Sequence, residues 1–210
     1  MKKISITVFA VMLYAACFAK DTIPTDFKIV KKQGAITLYE RWLPGSKGEP
    51  VRELKAEFLV ESDIQNVIRL LTNQSAGMKW NQNASVYKIA HTLNDDEWIN
   101  YIRYNMPVMF DDQDCCLLYK ISASSLLNKN KCVINFESIN SPLFPSNPDL
   151  TRITGVKGQW KLEQQPNHLL KITYLISSDK SGSIPRFISD PIIHNNLFKT
   201  MESFKNLLEK

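Results

Sequence analysis

Toward the end of the chain Ile193, Leu197, Met201, Phe204 and Leu208 recur at spacings of four, four, three and four, while Lys199, Glu202, Lys205 and Glu209 fill the positions between. Such a stripe is one face of a long amphipathic helix, and that face must be buried against something apolar. Everything from Ser85 to Ile176 reads instead with the alternation of strands. The candidates are Ser85–His91, Trp98–Tyr104, Cys115–Ile121, Lys131–Ser138, Gly158–Glu163 and Leu169–Ile176. Short turns such as Asn128-Lys129-Asn130 and Gln165-Pro166-Asn167 separate some of them, so the expectation is an antiparallel meander. A sheet of that size is the surface on which the closing helix can lie. Pro191 places a kink or a helix start at Asp190, because proline lacks the donor an inner turn needs.

The earlier part of the chain adds a hairpin and a second helix. Ile36–Trp42 and Glu53–Val60 alternate, the latter with Leu54, Ala56, Phe58 and Val60 on one face and Glu53, Lys55 and Glu57 on the other. The run Leu43–Gly48 between them has turn chemistry. Ser62 with Gln65 three residues on has the pattern of a helix cap, and Ile64, Val67, Ile68 and Leu71 form one stripe after it. Gly77 is expected to interrupt that helix, with Met78-Lys79-Trp80-Asn81 leading into the next strand.

The beginning has another character. Lys2 and Lys3 precede an uncharged run from Ile4 to Phe18, which ends at Lys20-Asp21. That run is shorter than the roughly 20 residues of a membrane-spanning helix. It has the physics of a secretion signal occupying residues 1–19, cut after Ala19. The expectation is an exported protein, periplasmic or extracellular, formed by one domain of residues 20–210. The alternative is cleavage before Cys17 and a lipid anchor on that cysteine, where Tyr14 occupies the place an aliphatic residue usually takes.

With residues 1–19 removed, two lysines and no acid are lost, so the net charge falls from +5 to +3 over 191 residues. The basic residues are spread along the chain, which argues for a solvated surface and against a nucleic-acid partner. A hydrophobic content of 44% rules out a disordered chain. Three cysteines, Cys115, Cys116 and Cys132, remain. A bridge from Cys132 to either neighbour requires adjacent strands, and buried free thiols are the other reading.

Chemistry-bearing motifs are sparse. His91, His168 and His194 fall in separate elements without metal-ligand spacing, so neither metal nor cofactor is expected. Asp95-Asp96 and Asp111-Asp112 fall in expected turns and read as solvated acids.

The order of hairpin, helix, meander and final helix is that of a helix-grip fold. Gly158-Gln159-Trp160-Lys161-Leu162, the strand Leu170–Ile176, and Asp179–Phe187 before the last helix resemble the final third of a START (steroidogenic-acute-regulatory-related lipid transfer) domain, of the Bet v 1-like superfamily. Met78-Lys79-Trp80-Asn81, and Met106-Pro107 followed by Asp114, are similar to its earlier stretches. Gln113 stands where the family carries Arg, so an ion pair built on that Arg is in doubt. The resemblance spans roughly residues 25–208.

It implies an α+β fold in which a curved antiparallel β-sheet wraps a long C-terminal α-helix and encloses a hydrophobic cavity. A lipid or other hydrophobic small molecule would bind there without catalysis, entering by movement of the last helix about Ser177–Ser183. A monomer making transient membrane contact fits that role. The alternative is an enzyme resembling the polyketide cyclases, which would draw on Tyr101, Tyr174, Arg103 and His194.

Strand alternation nominates Tyr101, Arg103, Trp160 and Tyr174 for the cavity wall. Phe187, Ile193, Leu197 and Met201 are nominated from the helical end. A guanidinium at Arg103 on an apolar face would meet a carboxylate or a lipid head group, with a solvent-facing position or an ion pair to an acid such as Asp114 as the other readings.

Overall fold

The computed structural model describes residues 26–45, 48–106, 111–126, 130–178 and 186–210. The expected leader with Cys17, most of the Ser177–Ser183 hinge, and the side chains of Phe187 and its two neighbours lie outside the described residues.

The alternation at 36–42 and 53–60 becomes strands β2 (Ile36–Pro44) and β3 (Pro50–Glu61), paired antiparallel with Leu38 opposite Ala56 and Glu40 opposite Leu54. Their outer face is wet as expected, with Arg41 to Glu53 at 2.5 Å and Lys55 to Glu57 at 3.2 Å. A strand absent from the sequence reading, β1 (Lys28–Gln33), pairs with β2 at the sheet edge. Its three lysines hide it from a hydrophobic pattern and suit an edge that must not recruit further strands.

The amphipathic stripe forms α1 (Ile64–Leu71), burying Ile64, Val67 and Leu71. Its cap is Asp63 rather than Ser62: the Asp63 carboxylate accepts the Asn66 N–H at 2.7 Å. A second helix, α2 (Gln74–Trp80), starts at an Asn73 cap and runs straight through Gly77. Gly77 is there for close approach, because a Cβ would lie 2.2 Å from the Tyr87 ring.

β4 (Ala84–His91), β5 (Glu97–Tyr104), β6 (Gln113–Ile121), β7 (Lys131–Ser138), β9 (Val156–Gln164) and β10 (Leu169–Ser178) follow the expected order. Between them lie the short helix α3 (Ala123–Leu126) and β8 (Thr151–Ile153), which pairs parallel to β6. The sheet order is β1-β2-β3-β10-β9-β7-β6-β5-β4. The meander is therefore correct from β4 to β10 but is not the whole topology. β10 turns back onto β3 over ten residue pairs, so α1 and α2 carry the chain from the middle of the sheet to its far edge.

The last helix, α4 (Arg186–Leu208), begins before Asp190 and contains Pro191 just beyond its first turn. Phe198, Met201 and Phe204 are buried against the concave face. Trp80 from α2 and Trp160 from β9 meet Phe204 at ring distances of 5.0 and 4.7 Å, locking the C-terminal half of the helix to the sheet. The α+β helix-grip architecture is thus present. Burying side chains of this size contributes roughly 1.5–3 kcal/mol each.

All three described cysteines are buried and free. β6 and β7 are neighbours, but their ladder runs from Leu117 opposite Ser138 to Ile121 opposite Ile134. Continued, it would set Cys115 opposite residue 140, eight residues or roughly 26 Å along the strand from Cys132. A disulfide needs Cα atoms within about 7 Å.

Candidate functional site

Alternation decides which strand residues face α4. On β5, Trp98, Ile102 and Tyr104 join the core, with Asn100 between them fully buried. Tyr101 and Arg103 do share a face, but it is the opposite one. This corrects their assignment to an apolar wall. Both faces of β5 are partly covered, so parity alone did not say which pointed inward. On the outer face Tyr101 stacks on Phe144 at 5.0 Å, and Arg103 donates to Asp112 at 2.8 Å. Asp112 is therefore not a free turn acid: it also accepts the Met106 N–H, which with the Arg103 contact holds its carboxyl below the usual range. Asp114, next in line on that face, is fully buried and held by Arg152 at 2.6 and 2.9 Å. Arg152 supplies the cation that Gln113 cannot.

Trp160 and Met201 are inside, yet both are completely packed. Sealed by their neighbours, neither offers surface to a bound molecule as the structure stands. Leu197 is half-buried against the core and Ile193 is 36% exposed.

The situation differs around Tyr104 and Tyr174. Both sit deep among other aromatic groups, and burial pushes their hydroxyl pKa values up. Both nevertheless keep accessible surface. Tyr174 is flanked by Phe136 at 5.7 Å and Trp160 at 4.5 Å. Near them lies a set of uncharged polar groups: Asn100 donates to the Tyr87 hydroxyl at 2.6 Å, and Tyr87 donates to the Leu71 carbonyl at 3.4 Å. The Asn100 carbonyl and the indole N–H groups of Trp80, Trp98 and Trp160 are buried without a well-formed hydrogen bond. The Tyr119 hydroxyl, its pKa raised by burial, lies close enough to Trp160 and Asn100 for both to oppose that rise.

A charged cluster, missed by sequence reading, ties the first half of α4 to the sheet. His194 Nε2 lies 3.0 Å from Glu40, Arg52 pairs with Glu40 at 3.5 Å and with Asp190, and the Trp42 ring covers Arg52 at 5.0 Å. The signal was in the alternation: Glu40 and Arg52 occupy the inward register of Leu38 and Leu54. Asp190 and His194 lie one turn apart, continuing the stripe of Leu197 and Met201.

Two surface clefts are formed by described residues elsewhere. One of about 560 Å³ lies between α1 and the β9–β10 turn at Asp63 and His168, and one of about 380 Å³ lies beside Phe144 and Arg152.

The fold is shared with a STAR-related lipid transfer protein fragment from Xanthomonas axonopodis, with a TM-score of 0.74 and 20% identity over 88% of this chain and 99% of that one. Human StAR-related lipid transfer protein 5 superposes with a TM-score of 0.68 and 15% identity over 87% and 86% of the two chains. The Zhui aromatase/cyclase from Streptomyces does so at 0.54 and 9%, over 76% and 94%. The START domain family model matches residues 27–210. A sheet that grips its last helix, with the family pattern running along nearly all of it, makes this chain a member of the START domain family.

Proposed function

We propose that the protein binds a lipid or other hydrophobic small molecule between the sheet and the first half of α4, without catalysis, and that it works in the cell envelope after export. The observation that carries this is the START family pattern over residues 27–210 on a sheet that grips its last helix, with the half-buried Tyr104 and Tyr174 at the edge of the packed core. An apolar ligand there gains roughly 25 cal/mol for each Å² withdrawn from water. Entry would follow from lifting the first half of α4, the part held by polar groups, about the Ser177–Ser183 segment. The test is extraction of the purified protein with organic solvent and mass spectrometry of the extract. A stoichiometric lipid is expected. An empty protein that also takes up no fluorescent fatty acid or sterol would overturn the reading.

Export rests on Lys2, Lys3, the uncharged run and Ala19, and transient contact of a monomer with a membrane belongs to the same proposal. Mass analysis of the mature N terminus distinguishes a start at Lys20 from a lipid-modified Cys17.

A catalytic reading of the cyclase type is favoured by one observation, the half-buried His194–Glu40 pair at 3.0 Å, in which a carboxylate orients an imidazole as in general-base catalysis. His194→Gln would then abolish turnover of a bound hydrophobic substrate while leaving its binding intact; turnover that survives the change removes His194 from that role.

A further inference from the structure

The cleft beside Phe144 and Arg152 lies on the outer face of the sheet, away from α4, and we infer that it binds a small carboxylate carried on an apolar body. Its volume of about 380 Å³ is on the scale of a small-molecule pocket. Arg152 lines it with 10% of its side chain exposed. The Nε and Nη2 atoms of that guanidinium are taken by Asp114 and by the carbonyls of Phe144 and Pro145. Nη1 meets no hydrogen-bond partner among the described residues, so the group is fixed in place with one nitrogen left to donate. Ser141 is buried beside it, and its Oγ accepts the Leu143 N–H at 3.3 Å, which leaves the hydroxyl proton for a ligand. Asn140 and Ser146, both exposed, add an amide and a second hydroxyl.

No acidic residue lines this cleft, and the Asp114 carboxylate behind the guanidinium is 1% exposed. The larger cleft near His168 is the contrary case, with Glu61 and Asp63 in its wall. A guanidinium with hydroxyl and amide donors and no lining carboxylate selects an oxyanion. Asp114 offsets part of the Arg152 charge, so a singly charged carboxylate suits the site better than a doubly charged phosphate. The rest of the wall is apolar: the Phe144 ring is held by its stack on Tyr101, and Pro142 and Pro145 stand on either side of it. Two prolines fix the backbone around that ring, so the cleft is formed before a ligand arrives and little ordering entropy opposes binding.

The test is an amide NMR titration of the isotope-labelled protein with benzoate, benzamide and inorganic phosphate at neutral pH. Saturable shifts from benzoate are expected at Ser141, Leu143, Phe144, Ser146 and the Arg152 Nε–H, with benzamide binding at least about tenfold more weakly. Ser146→Asp sets a carboxylate in the cleft from an exposed position and should weaken benzoate at least about tenfold, whereas Ser146→Asn should leave it within about twofold. Unchanged spectra away from the cleft check that both variants keep the fold. Absence of shifts at these residues, equal binding of benzamide, or benzoate binding indifferent to Ser146→Asp overturns the inference. Phosphate binding more tightly than benzoate overturns the choice of a carboxylate.

Discussion

Arg152 closes on Asp114 with two hydrogen bonds of 2.6 and 2.9 Å, and its second terminal nitrogen also reaches the carbonyls of Phe144 and Pro145. One guanidinium thus binds a fully buried carboxylate on β6 and pins the segment around Phe144 onto the outer face of the sheet. Removing either partner strands a charge. Arg152→Met is expected to destabilise the protein by about 3–5 kcal/mol, and the double change with Asp114→Leu by distinctly less, because it removes the orphaned charge as well. Urea unfolding of the three variants measures this; a double variant as unstable as the sum of the singles would show that the pair does not act as a unit.

Gly158 has no room for a side chain. A Cβ there would lie 2.2 Å from the Leu175 carbonyl oxygen and 2.3 Å from the Phe136 ring, which itself stacks on Tyr174 and Tyr119. Gly158→Ala should cost about 1–3 kcal/mol by forcing β9 or Phe136 to shift. A melting temperature equal to that of the parent protein would contradict the close approach.

The first half of α4 is attached by ionic contacts and the second half by aromatic packing. Asp190→Asn is therefore expected to loosen the first half alone. Losing about 1–2 kcal/mol of charge-assisted bonding should speed local amide exchange at residues 190–197 roughly five- to thirtyfold. Exchange at 201–208 should hardly change. Uniform acceleration along the whole helix would mean that α4 opens as one piece.

Burial raises the pKa of Tyr87, Tyr104, Tyr119 and Tyr174, each well above the ordinary value near 10. A raised folded-state pKa stabilises the native form below the unfolded value, and that contribution is lost as pH climbs from about 10 toward the folded value. Thermal stability should accordingly fall steeply above about pH 10. Phenolate absorbance of the folded protein at about pH 11 should lack these four tyrosines and regain them on denaturation; full ionisation without unfolding would refute their burial.

The Cys115 thiol is pushed up to about 12 by burial. A thiol-specific reagent at about pH 8 should leave Cys115, Cys116 and Cys132 unmodified in the folded protein and react with all three once it is denatured. Reaction of the native form would show that the core opens.

Much of the framework was legible from periodicity. The hairpin at 36–60, the stripe at Ile64–Leu71, the strands from β4 to β10 and the closing helix each carry a local repeat that backbone geometry alone enforces. The Trp160 strand and the Met201 face of α4 were placed correctly inside by the same rule. Short or heavily charged pieces such as β1 and β8 have no such repeat, and the helix through Gly77 breaks a propensity rule because Tyr87 needs the space.

What periodicity leaves open is which of two faces points inward and which distant residues meet. Tyr101 and Arg103 lie on a face that is also covered, so only the packed position of α4 shows that the other face holds the core. The pairings of Glu40 with His194 and of Asp114 with Arg152 join residues 154 and 38 positions apart. Side-chain alternation placed each of these groups on a face, but their partners were chosen by sheet order and by the seat of the last helix, which is where charge, burial and enclosed space are decided.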